Sequence, residues 1–260
     1  MILIGTSGYS FDDWEGAFYP PRLSGPDRLR FYAEHFPVVE INSTYYGVPK
    51  PKTFAAMAER TPERFEFLAK LHANQTHART EVAETTALLL DAVAPLVAAR
   101  KFGGFLAQFP WAFRATRENA VHLLDLRRLI PEEIPLYVEF RHDSWIVEKT
   151  FEWFRKIGIG YCSVDEPPLA GLVPPVARAT GQPGYVRFHG RNAQTWWGSG
   201  GGDRYDYAYS VPELREWIEK VRQLERETGK VYLFFNNCHA GQAVKGAKMM
   251  AGLLAGEGEA

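Results

Sequence analysis

Short apolar runs that alternate with helical segments along the whole chain are the feature that most constrains its fold. Eight runs have the length and continuous hydrophobicity of strands buried on both faces, and most are followed by a segment of helical period. They are Ile2–Gly5, Val38–Asn42, Glu66–His72, Phe105–Phe109, Leu136–Arg141, Gly160–Asp165, Tyr185–His189 and Val231–Asn236. This repeated β-then-α order predicts an α/β fold in which parallel strands close into a single (β/α)8 TIM barrel.

The segments between these strands predict seven helices and two irregular connections. The helices are Asp27–Phe36, Lys52–Arg60, Arg79–Arg100 with a bend at Pro95, Arg117–Leu129, Ile146–Ile157, Pro212–Thr228 and Gln242–Leu254. Glu166–Ala179 is rich in Pro and Gly and lacks helical period, so we expect an irregular connection after the sixth strand. Gly190–Tyr209, which contains the Gly/Ser run Gly198–Gly202, is too long for an ordinary connection and predicts a long loop over the barrel after strand seven.

The size and composition of the chain fit one barrel domain over residues 1–260. The chain has 260 residues and is 46% hydrophobic, and single TIM barrels commonly have about 250 residues. No internal repeat or linker divides it. The same alternation also allows an open doubly wound sheet, but no GxGxxG follows the first strand, which disfavours a dinucleotide-binding version.

The net charge and the hydropathy of the chain limit which partners, such as nucleic acid or membranes, it is expected to bind. The formal net charge is -1, so no global basic field attracts nucleic acid, and such binding would need a local patch. No run approaches the ~18 apolar residues of a membrane span, and the apolar N-terminus is too short for a signal peptide. We therefore expect a cytoplasmic protein with no membrane partner. The two cysteines, Cys162 and Cys238, fit neither a disulfide framework nor a CxxC site.

Polar side chains recur late in the predicted strands. Because strand residues alternate between faces and the helix layer is dry, we expect these side chains to point into the barrel, at the end that forms the active face of such folds. They are Glu40, Asn42, Lys70, His72, Gln108, Glu139, Arg141, Ser163, Asp165, Arg187, His189, Asn236 and Asn237. A lone Glu or Arg near a strand end is more often a partner in an internal ion pair than a catalyst. Their convergence favours a functional pocket, because uncompensated buried charges cost several kcal/mol each.

The segment Glu139–Trp145 is the densest cluster. Glu139 is predicted as a general acid or base, Arg141 as a clamp for carboxylate or phosphate, and His142 as a substrate-binding proton shuttle. A strand-end histidine bonded to backbone is the alternative for His142. Trp145 is either a stacking surface or the first core residue of the next helix.

The segments after strands seven and eight form a second cluster. Phosphate sites in these barrels often use those loops together with a helix N-terminus. Arg191, Asn236 and Asn237 are therefore expected to bind substrate. The alternative is that the asparagine pair caps the last helix.

Aromatic residues interleave with arginines in the Gly190–Tyr209 loop. Trp196, between Arg191 and Arg204, is predicted to contact substrate and is suited to stack on bases or sugars. The glycine run instead suits a lid that closes over a small ligand. Packing of the aromatics on the outer barrel is the third possibility.

A divalent metal is an alternative that the residue types allow. Ligand types of barrel hydrolases occur in the set, namely Glu40, His72, Glu139, Asp165, His189 and His239. However, Lys70, Arg141 and Arg187 lie among them and would weaken cation binding, and no HExxH or CxxC spacing is present. We therefore assign no metal ligand and no cofactor, and a divalent metal stays as the alternative.

Several motifs occur in order along nearly the whole chain. They are Ile4–Tyr9 with Trp14, Glu40–Tyr46, Phe67–His72, Gln108–Pro110, Glu139–Trp145, Val186–Gly190, Tyr205–Tyr207 and Phe235–Asn237. In these motifs the chain resembles the YecE-like family, domain of unknown function 72. The resemblance implies a TIM barrel and implies no reaction. The fold of that family is similar to the endonuclease IV and xylose isomerase group, whose full set of metal ligands is not evident here, so their chemistry is an analogy only.

Two functions from different classes follow. The first is an enzyme that acts on a phosphorylated or other anionic small molecule, by hydrolysis or proton transfer. The anion would be held by Lys70, Arg141 and Arg187, and the acids and bases would come from Glu40, His72, Glu139, Asp165 and His189. The second is a nucleic-acid-binding or -processing protein whose aromatic loop and barrel rim grip a strand, against which the near-neutral charge counts.

Overall fold

Eight parallel strands close into a barrel in the computed structural model of the chain, which describes residues 1–198 and 203–256. The strands are β1 Ile2–Ser7, β2 Val38–Ile41, β3 Glu66–Lys70, β4 Phe102–Gln108, β5 Leu136–Glu139, β6 Ile159–Asp165, β7 Gly184–Phe188 and β8 Val231–Phe235. Each strand pairs with the next, and β8 pairs with β1 from Ile2 opposite Val231 to Thr6 opposite Phe235. This closure confirms the predicted TIM barrel and rules out the open sheet.

Helices surround the barrel. They are α1 Gly25–His35, α2 Pro51–Glu59, α3 Ala73–Thr76, α4 Val82–Ala98, α5 Arg117–Leu129, α6 Glu148–Ile157, α7 Val211–Thr228 and α8 Gln242–Ala255. The helix predicted to begin at Arg79 begins only at Val82, because Arg79 and Glu81 have φ values of 56° and 51°, which an α-helix does not contain. Within the described ranges, no helix is both long enough and apolar enough to cross a membrane.

The connection between β6 and β7 is irregular, as its composition predicted. Residues 166–183, all of which the structure describes, contain no helix. The connection is tied back to β6 by Thr180, whose hydroxyl accepts from Tyr161 N at 2.7 Å and donates to Ile159 O at 2.8 Å. Seven strands are therefore followed by a helix, and β6 is followed by a long coil.

Tyrosine rings fill the N-terminal half of the barrel. The ring of Tyr137 lies 4.7 Å from that of Tyr185 and 6.4 Å from that of Tyr232, measured between ring centres. At the N-terminal end of the barrel, Glu66 forms an ion pair with Lys230 and accepts a hydrogen bond from the Tyr232 hydroxyl. This packed layer closes one end of the barrel and leaves the C-terminal mouth as the open end, the arrangement typical of TIM barrels.

Candidate active site at the barrel mouth

Two carboxylates and one arginine form the centre of the C-terminal mouth. Arg187 on β7 donates to Glu139 Oε2 at 2.6 Å and to Glu40 Oε1 at 2.7 Å. Glu40 also accepts from the hydroxyl of Tyr185. Glu40 and Glu139 are fully buried and Arg187 is 1% exposed. Because the guanidinium bridges two carboxylates that would otherwise repel each other, each of the three charges depends on the other two.

Arg141 extends this arrangement to the other side of Glu139. Its Nε lies 2.8 Å from Glu139 Oε1, and its Nη1 lies 2.8 Å from Glu166 Oε2. Glu166 also accepts from Val173 N at 2.9 Å, which anchors the β6–β7 connection to the mouth. Burial raises the pKa of Glu166 to about 7, although Arg141 opposes the rise. We call this chain of alternating charges the buried network, and it consists of Glu40, Arg187, Glu139, Arg141 and Glu166.

His189 joins the buried network as a neutral ring. Its Nε2 lies 3.1 Å from Glu139 Oε1 and its Nδ1 lies 3.1 Å from Asn236 Nδ2. With the Asn236 amide in this orientation, its N–H donates to Nδ1, so the ring proton is on Nε2 and is donated to Glu139. Burial lowers the pKa of His189 to about 3, and the nearby charge of Arg141 adds to the effect. The imidazole is therefore uncharged at physiological pH.

Glu139 is ionised in this setting. Burial by itself raises its pKa, but the neighbouring Arg187 and Arg141 outweigh burial and hold the pKa of this carboxyl well below its usual range. A carboxylate with so low a pKa is a weak base near neutral pH. The geometry of Glu139 thus fits an internal ion pair, the alternative to catalysis given above for charged residues at the strand ends.

An open pocket of about 730 Å³ lies beside the buried network, above β1, β2 and β3. Its walls come from residues that follow β1 and β2, namely Gly8, Tyr9, Ser10, Phe11, Asp13, Ser43, Tyr45, Tyr46, Pro49, Thr53, Phe54 and Met57. Polar side chains line it at the strand ends, namely Ser7, Asn42, Lys70, Gln108, Arg187 and Asn236. Among the described residues, Glu139 and His189 do not line this pocket. The mouth therefore has an open part and a sealed part, and Arg187 borders both.

Lys70 is the cation of this pocket that is most available to a ligand. Its Nζ donates to Gln108 Oε1 at 2.8 Å and lies 4.3 Å from the centre of the Tyr45 ring. No carboxylate of the described residues pairs with it, whereas Arg187 and Arg141 each bridge two. Burial, together with the charge of Arg187, lowers the pKa of Lys70 to about 8. A desolvated lysine of this kind can bind an anion or exchange a proton near neutral pH.

Most of the residues predicted for the site meet at this mouth. The residues in the network or the pocket are Glu40, Asn42, Lys70, Gln108, Glu139, Arg141, Arg187, His189 and Asn236. Asn42 donates to Ser7 O at 3.4 Å, and its Oδ1 is a buried acceptor that no described group satisfies. Tyr185 and Tyr45, which contact Glu40 and Lys70, were not anticipated. The chemical roles assigned to these residues from sequence remain predictions.

His72 and His142 lie at helix caps rather than in the buried network. His72 Nδ1 accepts from Asn74 N at 3.2 Å at the start of α3. His142 Nδ1 accepts from Ser144 N at 3.1 Å in the same way. This contact corresponds to the alternative given above for His142, a strand-end histidine bonded to the backbone. Trp145, likewise, is 3% exposed and packs in the core.

The prediction that Asp165 points into the barrel is wrong. Its carboxylate faces the helix layer, where it accepts from Trp217 Nε1 at 2.6 Å and from the Tyr209 hydroxyl at 2.7 Å. Arg191, predicted to bind substrate, forms an ion pair with Asp165 at 2.7 Å and with Glu216 at 2.8 Å. Both charged groups therefore join α7 to the barrel wall, outside the mouth.

The alternation of side chains along β6 explains this error. Cys162 Sγ lies 4.0 Å from Glu139 Oε2, so Cys162 faces the interior. Ser163 and Asp165, at odd distances from Cys162, face the helices. Glu166, four residues after Cys162, reaches the buried network and was missed. Polarity was a misleading signal for the inward face of this strand, because the β6 residues that share a face with Cys162 are Gly160 and Val164, which are not polar.

The loop after β7 covers the sealed part of the mouth as far as it is described. Trp196, predicted to contact substrate, is 2% exposed, and its ring centre lies 5.6 Å from the guanidinium carbon of Arg141. Tyr205 lies 6.1 Å from the His189 ring and lines the open pocket. Trp196 thus shields an arginine and is not an exposed stacking surface. Residues 199–202, the centre of the predicted glycine-rich lid, lie outside the described residues.

Asn237 anchors this loop. It is fully buried, and its Nδ2 donates to Tyr207 O at 2.7 Å. The alternative that the asparagine pair caps the last helix is wrong, because Gly241 is the N-cap of α8. Asn237, predicted to bind substrate, therefore holds the loop, while Asn236 lies at the pocket.

The described residues contain no group of three or more His, Cys, Asp or Glu side chains placed to hold a metal ion. The carboxylates of Glu40, Glu139 and Glu166 instead accept hydrogen bonds from guanidinium groups. His239, at the pocket rim, lies 3.8 Å from the carboxylate of Asp206.

Comparison with known proteins identifies the family. The family model described as "Protein of unknown function DUF72" matches residues 3–260. The chain belongs to the DUF72 family. UPF0759 protein YunF of Bacillus subtilis, a similar relative, is 32% identical over 271 residues, which cover 98% of this chain and 95% of YunF. UPF0759 protein YecE of Escherichia coli strain K12 is 32% identical over 151 residues, which cover 57% of this chain and 51% of YecE.

A solved DUF72 structure shares the fold. The crystal structure of a DUF72 family protein from Thermotoga maritima superimposes with a TM-score of 0.90 at 39% sequence identity, over 98% of this chain and 99% of the other. The family resemblance drawn from the motifs and the TIM barrel are thus both confirmed.

Proposed function

We propose that the barrel mouth is the active site of an enzyme that binds a small phosphorylated or other anionic substrate and transfers a proton at Lys70. The observation that carries this proposal is the Lys70 ammonium, which lies in an open pocket of about 730 Å³ without a carboxylate partner among the described residues. TIM barrels carry their chemistry at this end. A concave pocket with a few convergent polar groups is the usual form of a small-molecule site.

The anion would lie between Lys70 and the amides of Gln108 and Asn236. At present the Nζ of Lys70 donates to a neutral amide oxygen. An anionic oxygen in that place would form a shorter and roughly twice as strong charge-assisted hydrogen bond. Arg187 adds positive potential at the pocket border while it remains bonded to its two carboxylates.

Proton transfer fits Lys70 better than it fits the acids and bases of the buried network. The pKa of Lys70, lowered by burial to about 8, is close to the pH at which a general acid or base works best. The pKa of Glu139 lies well below its usual range and that of His189 is about 3. We therefore assign Lys70 to proton transfer, and Glu139 and His189 to holding the arginines in position.

Lys70→Met is expected to abolish stabilisation of the protein by anions, because it removes the unpaired charge and keeps most of the side-chain volume. The wild-type thermal midpoint should rise with inorganic phosphate and with phosphorylated sugars, by the equivalent of about 2.7 kcal/mol at a hundred times Kd. The matched control is Lys156→Met, which removes an exposed lysine near the C-terminus of α6, at the other end of the barrel. An equal midpoint rise in the Lys70 variant, or no rise in the wild type, would contradict the proposal.

Anion affinity is also expected to depend on pH in a defined direction. Only protonated Lys70 attracts an anion, and its pKa in the free protein is about 8. Affinity should therefore be constant below pH ~8 and fall about tenfold per pH unit above it. Sulfate is the probe for isothermal titration, since its own charge does not change in this range. A flat profile in the wild type, identical to that of Lys70→Met, would rule out Lys70 as the titrating group.

A further inference from the structure

We propose that the ligand of the mouth is an aromatic anion, whose ring system lies against the tyrosines that follow β2 while its charged group contacts Lys70. This inference names the substrate class of the same pocket and so rests on the proposed anion site.

Aromatic side chains line the pocket directly beside Lys70. The centre of the Tyr45 ring lies 4.3 Å from Lys70 Nζ. The centre of the Tyr46 ring lies 5.0 Å from that of Tyr45, and the two ring planes are at 87° to each other. Tyr9 and Phe11, which follow β1, line the same pocket. A ligand whose anion reaches Lys70 therefore meets ring surfaces with the part of the molecule next to its charge.

Tyr46 is the strongest single indication of a ring-binding wall. It lines the pocket, yet it is 83% exposed. A ring this exposed contributes contact area only when another molecule covers it. An aromatic side chain loses little rotamer entropy when a ligand covers it in this way.

The turn that carries these tyrosines is well held. The Thr44 hydroxyl lies 3.1 Å from Ile41 O and 2.6 Å from Lys70 O, so the turn is tied to the ends of both strands. Tyr46 N donates to Ser43 O at 3.1 Å. The aromatic wall and Lys70 thus have a fixed spacing before a ligand binds. This favours specific binding, because less conformational entropy of these side chains is lost when the ligand binds.

The size and charge of the pocket point to the same class of ligand. Its volume of about 730 Å³ lies within the ~300–1,000 Å³ of sites for drug-sized molecules, so a bare oxyanion would leave most of it empty. The positive groups Lys70 and Arg187 lie at the strand ends. Asp13, the acidic residue that lines the pocket, is at the rim and accepts from Ala240 N at 2.6 Å. A ligand that is anionic at one end and flat and apolar beside it matches this polarity.

The test compares four phosphate probes by isothermal titration at one pH: inorganic phosphate, glycerol 3-phosphate, phenyl phosphate and adenosine 5′-monophosphate. The last two separate a simple aryl phosphate from a nucleotide as the source of the ring. We expect at least one aromatic phosphate to bind about tenfold or more tightly than glycerol 3-phosphate, the usual effect of one stacking contact. Tyr46→Ala should remove about tenfold of that affinity and leave glycerol 3-phosphate unchanged. Trp197→Ala, which alters an exposed tryptophan packed against Trp111, is the matched control and should change neither.

The contrary outcomes separate this inference from the anion site itself. Equal affinities for glycerol 3-phosphate and both aromatic phosphates would overturn the aromatic class and leave the anion site intact. No binding of any of the four probes would overturn both. Tighter binding of a short single-stranded oligonucleotide than of adenosine 5′-monophosphate would overturn the small-molecule ligand in favour of nucleic acid.

Discussion

Arg187→Met is expected to lower the free energy of unfolding by about 4 kcal/mol. The substitution keeps an unbranched side chain of similar length but leaves Glu40 and Glu139 fully buried without the cation that bridges them at 2.7 and 2.6 Å. Removing one partner of a buried ion pair has this large effect because the remaining charge is neither hydrated nor compensated. Denaturant unfolding at pH 7, followed by circular dichroism, measures it.

The pH dependence of this loss has a defined sign. In the wild type, Arg187 and Arg141 hold the pKa of Glu139 below its usual range, so the stabilisation is present above the unfolded pKa of about 4.3 and is lost as pH falls through the folded value. The difference between Arg187→Met and wild type should therefore be largest at neutral pH and shrink in acid.

The control for this variant is an exposed ion pair. Arg226→Met removes the partner of Glu219, and the two side chains are 62% and 80% exposed, so the expected loss is below ~1 kcal/mol. A loss for Arg187→Met as small as that of the control would mean that the buried network does not stabilise the barrel.

The buried network and the open pocket divide the charged residues of the mouth into two kinds. Arg187 and Arg141 are each held by two carboxylates, so their charge is already compensated. Lys70 is not held in this way. The network has three carboxylates for two arginines, so both arginine charges are compensated, whereas no carboxylate of the described residues pairs with Lys70 on the side of the pocket. This asymmetry is the physical basis of the proposed anion site.

The fold was readable from the sequence because strands of a parallel barrel are covered on both faces. Each of them is a short apolar run, such as Val231–Phe235, and each of the eight predicted runs overlaps an observed strand. The boundaries were less accurate where backbone conformation decided them, as at Arg79 and Glu81 before α4. Positive φ at these two residues has no reliable signal in an arginine or a glutamate.

The site was readable only in part. Strand-end polarity placed Glu139 and Arg187 at the mouth, but it could not assign which acid pairs with which cation, and so could not single out Lys70. It also failed at Asp165, where a buried polar group satisfied by α7 resembles an inward catalytic residue. Tyr46 belongs to the motif Glu40–Tyr46 but carried no signal of a role in binding, because that role depends on its exposure beside a pocket.

Gly5→Ala is the second substitution with a large expected effect, a loss of about 3 kcal/mol in unfolding free energy. Gly5 lies in β1 opposite Val38 of β2, and a Cβ built on it would be 2.1 Å from Val38 O and 3.1 Å from the Tyr32 hydroxyl. Neither neighbour can move freely. The carbonyl belongs to the paired strand, and the Tyr32 hydroxyl is held 2.9 Å from Thr6 N.

A matched glycine makes this prediction testable. Gly47, in the turn after β2, has no atom within 4 Å of an added Cβ, so Gly47→Ala should change the thermal midpoint little. A Gly5→Ala midpoint close to that of the Gly47 variant would show that β1 and β2 can separate without loss of the barrel.

The substitution should also affect the site, because Ser7 of β1 pairs with Glu40 of β2. A shift between these strands would displace the buried network and the pocket wall together, so anion binding should weaken in Gly5→Ala and persist in Gly47→Ala.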